Sequence, residues 1–368
     1  MTMIARKWYF DPVNAIALSI GAMFVLLPSK AAACIFVGEG TVLSGQCYLN
    51  GIANGAVVDT SLDALLGVVD DAIESDVGLA NGPPQALSTP FGVFASGQLA
   101  HTEHDGFTIS RGPIVTTGPD FDVDEFSAAV SVDFNAAKHF GFDNEHGLNL
   151  GLFGGYASAK VDANALGFFP PNGEATNRSG MFGGYGLYRR GTSYMLVAAS
   201  AFLGNTDVES TGLGSGAYDT QGYAVTGSIG HIFNLTDRVR FDLRGGLLGV
   251  SFTGDEYTDS SGVSYGKSRL SFGAIKFEPG VYADYQLGNG MVISPYVRAD
   301  LQQRFGYSNT ASVSGIESNF EDADFSAAVS AGFNLKMSQS TTVSSEIRGK
   351  WSQDSSTVSG KLGVKIAF

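Results

Sequence analysis

Charged residues are scarce in this sequence. They make up 16% of the 368 residues, and acids outnumber bases to give a net charge of −14. Nucleic-acid binding depends on clustered Lys and Arg, so this balance argues against a nucleic-acid partner. No internal apolar run reaches the roughly 20 residues that a membrane helix needs, although the chain is 44% hydrophobic. The apolar residues are instead dispersed, which is typical of strands that expose one to lipid at every second position.

The amino terminus has the three parts of an export signal. Arg6 and Lys7 are the positive region, residues 13–27 are apolar, and residues 31–33 are three alanines suited to cleavage. The sequence therefore predicts a signal peptide over residues 1–33, cleaved on export through the inner membrane, and a mature chain that begins near Cys34.

Cysteine is almost absent. Cys34 and Cys47 are the two cysteines of the chain, and both lie in the predicted mature segment 34–58. In an oxidising compartment they are candidates for a disulfide. The alternative is a lipid on Cys34, although Ala31 stands where lipoprotein signals usually carry Leu.

Basic residues are missing altogether from Ala31 to Ser110. Within this stretch, residues 59–76 have apolar side chains at helical spacing, and Thr60 and Asp63 are placed like a capping box. We predict an acidic helix here and a linker up to Pro90, rich in Gly and Pro. The helix acids are Asp59, Asp63, Asp70, Asp71, Glu74 and Asp76.

After Pro90, alternation of apolar and polar residues replaces helical spacing. It predicts an all-β fold over residues 91–368, a twelve-stranded antiparallel transmembrane β-barrel with the helix in or near its pore. The predicted strands are 91–100, 126–135, 148–159, 179–190, 192–204, 221–234, 238–253, 269–287, 291–305, 323–336, 340–352 and 358–368. The strand 192–204 is apolar on both faces, and 269–287 changes face near Ala274 to Lys276, which suggests a bulge.

The connections between these strands alternate between long and short along most of the chain, as in outer-membrane barrels with long external loops and short periplasmic turns. The segment 136–147 is longer than a usual periplasmic turn, and 353–357 is shorter than a usual outer loop. The six predicted outer segments, 101–125, 160–178, 205–220, 254–268, 306–322 and 353–357, hold eighteen acids and four bases. The predicted outer surface is therefore acidic.

Strand alternation also predicts which charged side chains face the lumen. The basic ones are Arg238, Arg240, Arg244, Lys276, Arg298, Arg304, Lys336, Arg348, Lys350, Lys361 and Lys365, and the acidic ones are Asp242, Glu278, Asp284, Asp300, Asp324 and Glu346. This net basic wall suggests that the acidic helix is held in the pore as a plug by charge pairs. The alternative is that these charges only solvate the lumen and that the helix packs elsewhere.

The last strand ends the chain on an aromatic residue. Leu362, Val364, Ile366 and Phe368 fall on one face, while Lys361 and Lys365 fall on the other. A strand that closes a membrane barrel has this pattern, with apolar side chains toward lipid and polar ones toward the lumen.

With its signal peptide, helix, alternating strands and terminal residues 362–368, the chain resembles a bacterial autotransporter translocator domain of type V secretion. Residues 148–156, 223–231 and 293–300 are also similar to strands of that family. The resemblance implies that the barrel-assembly machinery recognises the terminal strand and that the helix threads the pore. The family usually carries a large passenger before the helix, whereas only about 25 residues, Cys34 to Val58, lie there in this chain.

We therefore expect an outer-membrane translocator that displays or exports an N-terminal segment, with no cofactor and no metal. The alternatives are a small diffusion porin and a surface adhesin or receptor whose acidic loops bind a host or environmental ligand. An outer-membrane hydrolase would need His101 or His104, but no nucleophile with a matched base emerges from the sequence.

Deletion of Phe368 tests the function of the terminal strand. We expect fewer assembled barrels in cells but little change in the thermal stability of those that close, because recognition during assembly is lost while the strand ladder remains. Membrane fractionation and thermal unfolding measure the two effects. Unchanged assembly would refute the interpretation.

Overall fold

The computed structural model describes residues 45–76, 91–111, 114–137, 139–142, 146–163, 172–210 and 214–368. The predicted signal peptide, Cys34 and the linker before Phe91 lie outside these residues. Among these residues, the one long helix is α1, Gly45–Asp76. It begins fourteen residues before the predicted start at Asp59, and its 32 residues correspond to about 48 Å of helix.

Contrary to the sequence reading, α1 contains a stretch, Gln46–Glu74, that is long and apolar enough to cross a membrane. Most of that stretch is buried inside the protein. The helix is apolar around much of its circumference because the barrel surrounds it, not lipid.

Twelve strands form the barrel wall, which confirms the predicted fold. They are β1 Phe91–His104, β2 Phe121–Asn135, β3 His146–Ala163, β4 Gly173–Arg190, β5 Ser193–Ser210, β6 Gly214–Asn234, β7 Val239–Gly254, β8 Ser268–Ala283, β9 Val292–Val313, β10 Phe325–Lys336, β11 Thr341–Ser352 and β12 Ser355–Ala367. Each strand pairs antiparallel with the next, from β1 with β2 to β11 with β12.

The first and last strands close the barrel. β1 and β12 pair without interruption from Gly92 opposite Ala367 to His104 opposite Ser355. Closure satisfies the backbone donors and acceptors of both terminal strands, which an open edge in lipid would leave unpaired. The side chains of Leu362 and Phe368 are 66% and 63% exposed on the outer surface, as predicted for the closing strand.

Two strands depart from simple alternation of apolar and polar residues. β5 is apolar on both faces because its inward residues, such as Leu196, lie in the same apolar core as the helix, while its outward residues, such as Val197, are exposed. In β8 no change of face occurs, since Phe272, Ala274 and Lys276 are all buried inward residues. The irregularity lies earlier, between Ser271 and Gly273, where the pairing with β9 shifts register.

The barrel has a short-turn end and a long-loop end. The short-turn end carries Phe91, Phe368 and the connections β2–β3, β4–β5, β6–β7, β8–β9 and β10–β11. At the long-loop end, several strands continue beyond their predicted limits, so that the loops are shorter than expected. In the first loop, a hairpin of Thr108–Arg111 and Ile114–Thr117 pairs with Ile316–Glu321 of the fifth loop.

Gly183 marks a place where the wall has no room for a side chain. A Cβ there would lie 2.3 Å from the Ala199 carbonyl oxygen and 2.4 Å from the Phe153 ring. We expect Gly183→Ala to destabilise the barrel by about 1–3 kcal/mol, measured by denaturant unfolding. Gly360→Ala is the matched control, because a Cβ at Gly360 meets nothing within 4 Å. Equal stability of the two variants would contradict the packing argument.

Candidate functional site: the helix in the pore

Ion pairs in the lumen join α1 to the barrel wall. Asp70 of the helix accepts a hydrogen bond from Arg244 Nη1 at 2.8 Å, and its other oxygen lies 3.0 Å from Arg298 Nη2. Arg244 and Arg298 are 2% and 4% exposed. Because a buried guanidinium without a carboxylate partner is costly, Asp70 stabilises both arginines at once.

Glu74, one turn further along α1, contacts the same part of the wall. Its Oε1 lies 3.4 Å from Arg298 Nη1, and its Oε2 accepts a hydrogen bond from Asn334 Nδ2 at 3.0 Å. Arg298 also lies 3.0 Å from Glu346, which accepts a hydrogen bond from the Tyr296 hydroxyl. Helix and wall therefore both supply carboxylates to Arg298.

Lys361 of the closing strand binds the helix as well. Its Nζ donates a hydrogen bond to Asp71 Oδ1 at 2.9 Å, and both side chains are buried. The second oxygen, Asp71 Oδ2, has no hydrogen-bond partner among the described residues. Lys361 is thus the main compensation for the buried charge of Asp71.

Most of the other predicted lumen charges pair within the wall. The pairs are Arg240 with Asp284 at 2.6 Å, Lys276 with Glu278 at 2.7 Å, Lys276 with Asp300 at 3.5 Å, Arg348 with Asp300 at 2.8 Å, Arg244 with Glu278 at 3.0 Å, and Lys365 with Asp133 at 3.0 Å. The wall is therefore largely self-neutralised. Its ion pairs with α1 come from Arg244, Arg298, Arg304 and Lys361.

Arg238 does not face the lumen. It is exposed in the turn before β7, since that strand begins at Val239, and the prediction that placed it in the pore is wrong. Asp324 is also exposed, just before β10. Lys350 is half-buried on the inward face of β11, and Lys336 is half-buried at the end of β10.

Toward the long-loop end, the helix is tied to a loop through an arginine. Asp59 lies 3.5 Å from Arg304 Nη2, and Arg304 Nη1 donates a hydrogen bond to Asp322 at 2.6 Å. Asp322 also lies 3.4 Å from His104 Nε2. Burial alone would raise the pKa of the Asp322 carboxyl, but the hydrogen bond with His104 and the charge of Arg304 lower that pKa well below its usual range.

The two remaining predicted helix acids contribute less. Asp63 accepts a hydrogen bond from Gln98 Nε2 at 3.4 Å, and no ion pair is found for it among the described residues. Asp76 is the last residue of α1; its side chain lies outside the described part of the chain.

The amino-terminal half of α1, which sequence reasoning did not assign to the helix, is held by amide and aromatic side chains. Asn54 donates a hydrogen bond to Asn309 and accepts one from Ser268, while Asn309 donates to the Gly51 carbonyl. The Tyr48 hydroxyl donates to the Pro119 carbonyl at 2.7 Å. The absence of charge between residues 45 and 58 was the available signal for a buried segment.

An apolar sector of the wall covers one side of the helix. Leu65, Val69 and Ile73 of α1 belong to the same core as Phe202 and Leu248. On another side, toward β1, β2, β10, β11 and β12, a small cleft of about 40 Å³ remains. It is lined by residues that include Asp59, His104, Glu125, Asp322, Lys350 and Ser355. The helix therefore fills the lumen unevenly.

His101 and His104, the two histidines considered for a hydrolase, do not lie in one site. His101 lies 2.8 Å from Asp124 on the outer surface, whereas His104 points inward to Asp322, so that the two rings face opposite sides of β1. Within the described residues, no group of three or more His, Cys, Asp or Glu side chains is suited to hold a metal.

Cys47 lies in the first turn of α1 and is fully buried. Because Cys34 lies outside the described residues, the Cys34–Cys47 disulfide stays a prediction.

A closed antiparallel barrel with an outward apolar face and a helix in a charged lumen defines a β-barrel of the bacterial outer membrane. The family model for the autotransporter beta-domain matches residues 115–348, and the chain belongs to that family. The predicted resemblance is confirmed, and the domain is a transport and secretion fold.

Solved structures show the same fold. The translocator domain of NalP from Neisseria meningitidis superimposes with a TM-score of 0.62 at 13% identity, over 88% of this chain and all of that one. The transport unit of AIDA-I from Escherichia coli gives 0.58 at 17% identity, over 81% of this chain and 98% of that one. The beta domain of Bordetella Brka gives 0.56 at 14% identity, over 76% of this chain and all of that one. No curated protein matches the sequence.

The pair of Asp71 and Lys361 provides a test of helix anchoring. We expect Lys361→Met to lower the free energy of unfolding by about 3–5 kcal/mol, since Asp71 would remain buried and charged without its partner. The double variant Asp71→Leu with Lys361→Met removes both charges and should recover most of that loss. Denaturant unfolding in detergent measures both.

Lys267→Met is the matched control. Lys267 lies 3.6 Å from Asp255 with both side chains about half exposed, and an exposed pair contributes only about 0–1 kcal/mol. A loss in Lys361→Met no larger than in this control, or no recovery in the double variant, would show that Lys361 does not anchor the helix.

Proposed function

We propose that this outer-membrane translocator displays its N-terminal segment on the cell surface and that α1 remains in the barrel as tether and plug. The observation that carries the proposal is the direction of the helix. Gln46 and Tyr48, near its amino end, donate hydrogen bonds to Gly214 and Pro119 at the long-loop end. Glu74, near its carboxyl end, contacts Asn334 close to the short-turn end.

This direction supports display because the short turns of such barrels face the periplasm and the long loops face outward. The chain that precedes Gly45 would then leave the barrel on the outer side. In the same orientation Phe91 and Phe368 would lie at the periplasmic side, where the barrel-assembly machinery would reach the terminal strand. We assign no catalytic role to the barrel.

The occupied lumen counts against the alternative of an open diffusion porin. Leu65 and Ile73 of the helix are completely buried, and Asp70 is bound on two sides by arginines. An adhesin or receptor whose outer surface binds an environmental ligand remains compatible with display. Glu103 and Asp122 stand opposite each other on β1 and β2 of the outer surface, while the acids next along, Asp162 and Glu174, both pair with Lys160. The pair Glu103 and Asp122 favours a cationic ligand for such a receptor.

An epitope tag inserted immediately before Gly45 tests the proposed topology. We expect antibody to label intact cells that carry this tag, since the helix would direct it outward. The matched control is the same tag in the turn Met337–Ser340, which should be labelled only after the outer membrane is permeabilised. Labelling of the first tag only in permeabilised cells would overturn the proposal.

Conductance tests the plug separately. We expect the full chain to conduct weakly in planar bilayers and the variant lacking residues 34–85 to conduct strongly. Asp70→Lys, which would repel Arg244 and Arg298, should raise conductance without any deletion, whereas Asp207→Lys on the outer face should not. Equal conductance of the full and shortened chains would refute the plug.

A further inference from the structure

Loops of the barrel cover the long-loop end of α1. The hairpin of the first loop and the strand Ile316–Glu321 of the fifth loop pair into one small sheet, which we call the roof. Its paired residues Ile109 and Phe320 are 2% and 1% exposed and belong to the same apolar core as the first turns of the helix. Asn319 and Glu321, on the opposite face, are exposed. The roof therefore buries one face on the helix and turns a polar face to solvent.

Two glycines fit the roof and the helix together. A Cβ at Gly51 of the helix would lie 2.6 Å from the Phe320 ring of the roof, closer than real Cβ atoms approach a neighbour. In the reverse sense, a Cβ at Gly118, just after the hairpin, would overlap the Tyr48 ring of the helix. Tyr48 and Gly51 are three residues apart and therefore lie on one face of α1. Each surface thus leaves room for a ring of the other where a Cβ would collide.

The Tyr48 hydroxyl joins the two ends of the first loop. It accepts a hydrogen bond from the Phe107 N–H at 3.3 Å and donates one to the Pro119 carbonyl at 2.7 Å. The Gly118 N–H in turn donates to the Phe107 carbonyl at 2.9 Å. Because Tyr48 is completely buried, removal of its hydroxyl would deprive two backbone groups of a partner that water does not readily replace.

Two further loops contact the same turns of the helix. Gln46 donates a hydrogen bond to the Gly214 carbonyl, where the third loop meets β6. Asn50 accepts one from the Tyr257 hydroxyl of the fourth loop at 3.1 Å. The first turns of α1 therefore hold four loops together, and they do so through uncharged side chains.

The roof fits one position of the helix. Tyr48 is the one aromatic residue in the sequence of α1. If α1 moved by one turn toward the loops, Ile52 would take the place of Tyr48 and could not bind the loop backbone. If it moved by one turn away from them, Cys47 would take the place of Gly51 and collide with the Phe320 ring. The roof can therefore close fully over the observed position alone.

We propose that the roof is a gate that closes on Tyr48 and Gly51, and therefore only when the helix has reached its final position. Before that, Ile109 and Phe320 lack the helix surface that covers them, and a small isolated sheet is marginally stable in water. The loops then lie apart and leave the lumen open to the passing chain. This inference rests on the proposed function, because only a segment that is exported past the loops needs such a gate.

The gate would also decide which surface a ligand meets. The ion pairs deeper in the lumen set the position of the helix, and the roof responds to that position. Glu317 and Glu321 are exposed on the outer face of the roof, and this acidic face forms only while the roof is closed. A receptor or adhesin function of the roof would therefore begin after the helix is in place.

Hydrogen exchange of the purified full-length protein in detergent tests the gate. Mass spectrometry follows the peptides that contain residues 108–117 and 316–321. We expect Gly51→Ala to speed their exchange about tenfold, because the new Cβ displaces the Phe320 ring, while exchange of the barrel strands is unchanged. The matched control is Gly55→Ala, one turn further along, where a Cβ lies 3.5 Å from its nearest neighbour and has room. Both changes raise helix propensity equally, so only the contact with the roof differs.

A compensating variant tests the recognition itself. Gly51→Ala combined with Phe320→Leu should restore slow exchange of the roof, since the smaller side chain leaves room for the new Cβ. Absence of this restoration, or equal exchange in Gly51→Ala and Gly55→Ala, would overturn the proposal. Faster exchange of the barrel strands together with the roof would also overturn it, because the change would then be general unfolding.

The epitope tag before Gly45 separates this inference from the proposed function. A tag that is labelled on intact cells, together with a roof that does not respond to Gly51→Ala, would refute the gate and leave display standing. A tag that is hidden in intact cells would refute display and, with it, the need for a gate, whatever the exchange rates are.

Discussion

The structure depends on how charge is accommodated in the lumen. Arg244 and Arg298 are buried on the barrel wall, and each has one carboxylate from the wall and at least one from the helix. Burial of an ion is costly unless its partners are well placed. Glu278, the wall partner of Arg244, is shared with Lys276, and Asp70 supplies a further carboxylate to both arginines. Because a shift of one helical turn would move Asp70 away from both, the ion pairs fix the depth and rotation of the helix.

Apolar packing and ion pairs have different effects on the helix. Contacts of Leu65 and Ile73 with the apolar sector of the wall stabilise the helix in the lumen without specifying its register, since hydrophobic burial is not directional. The charged side chains specify the register. The small cleft beside β1, β2 and β10 to β12 is consistent with this arrangement, because a helix packed against one sector leaves space near the opposite one.

Strand alternation predicted all twelve barrel strands because it depends on local geometry: each residue faces either lipid or lumen, whatever its neighbours are. The same pattern failed where the local sequence does not determine where a strand or helix begins. Arg238 was placed in the pore because the alternation of β7 was extended by one residue into a turn. The amino-terminal half of the helix was missed because Asn50, Gly51 and Asn54 are weak helix formers, and hydrogen bonds from distant strands compensate for them. No local pattern contains those partners.

The two ends of the helix are held by different interactions. This difference affects how the helix could be displaced from the lumen. At the long-loop end, Tyr48 is enclosed by loop backbone, and Asp59 is linked through Arg304 to Asp322 in another loop. Further in, the bonds are ion pairs to the strands. A pull toward the outside would have to separate buried charges and open the loops together, since the loops lie in the path of the helix. A pull toward the periplasm would separate the same charges while drawing uncharged residues past them. Movement in either direction therefore leaves buried charge uncompensated, and the ion pairs oppose displacement of the helix.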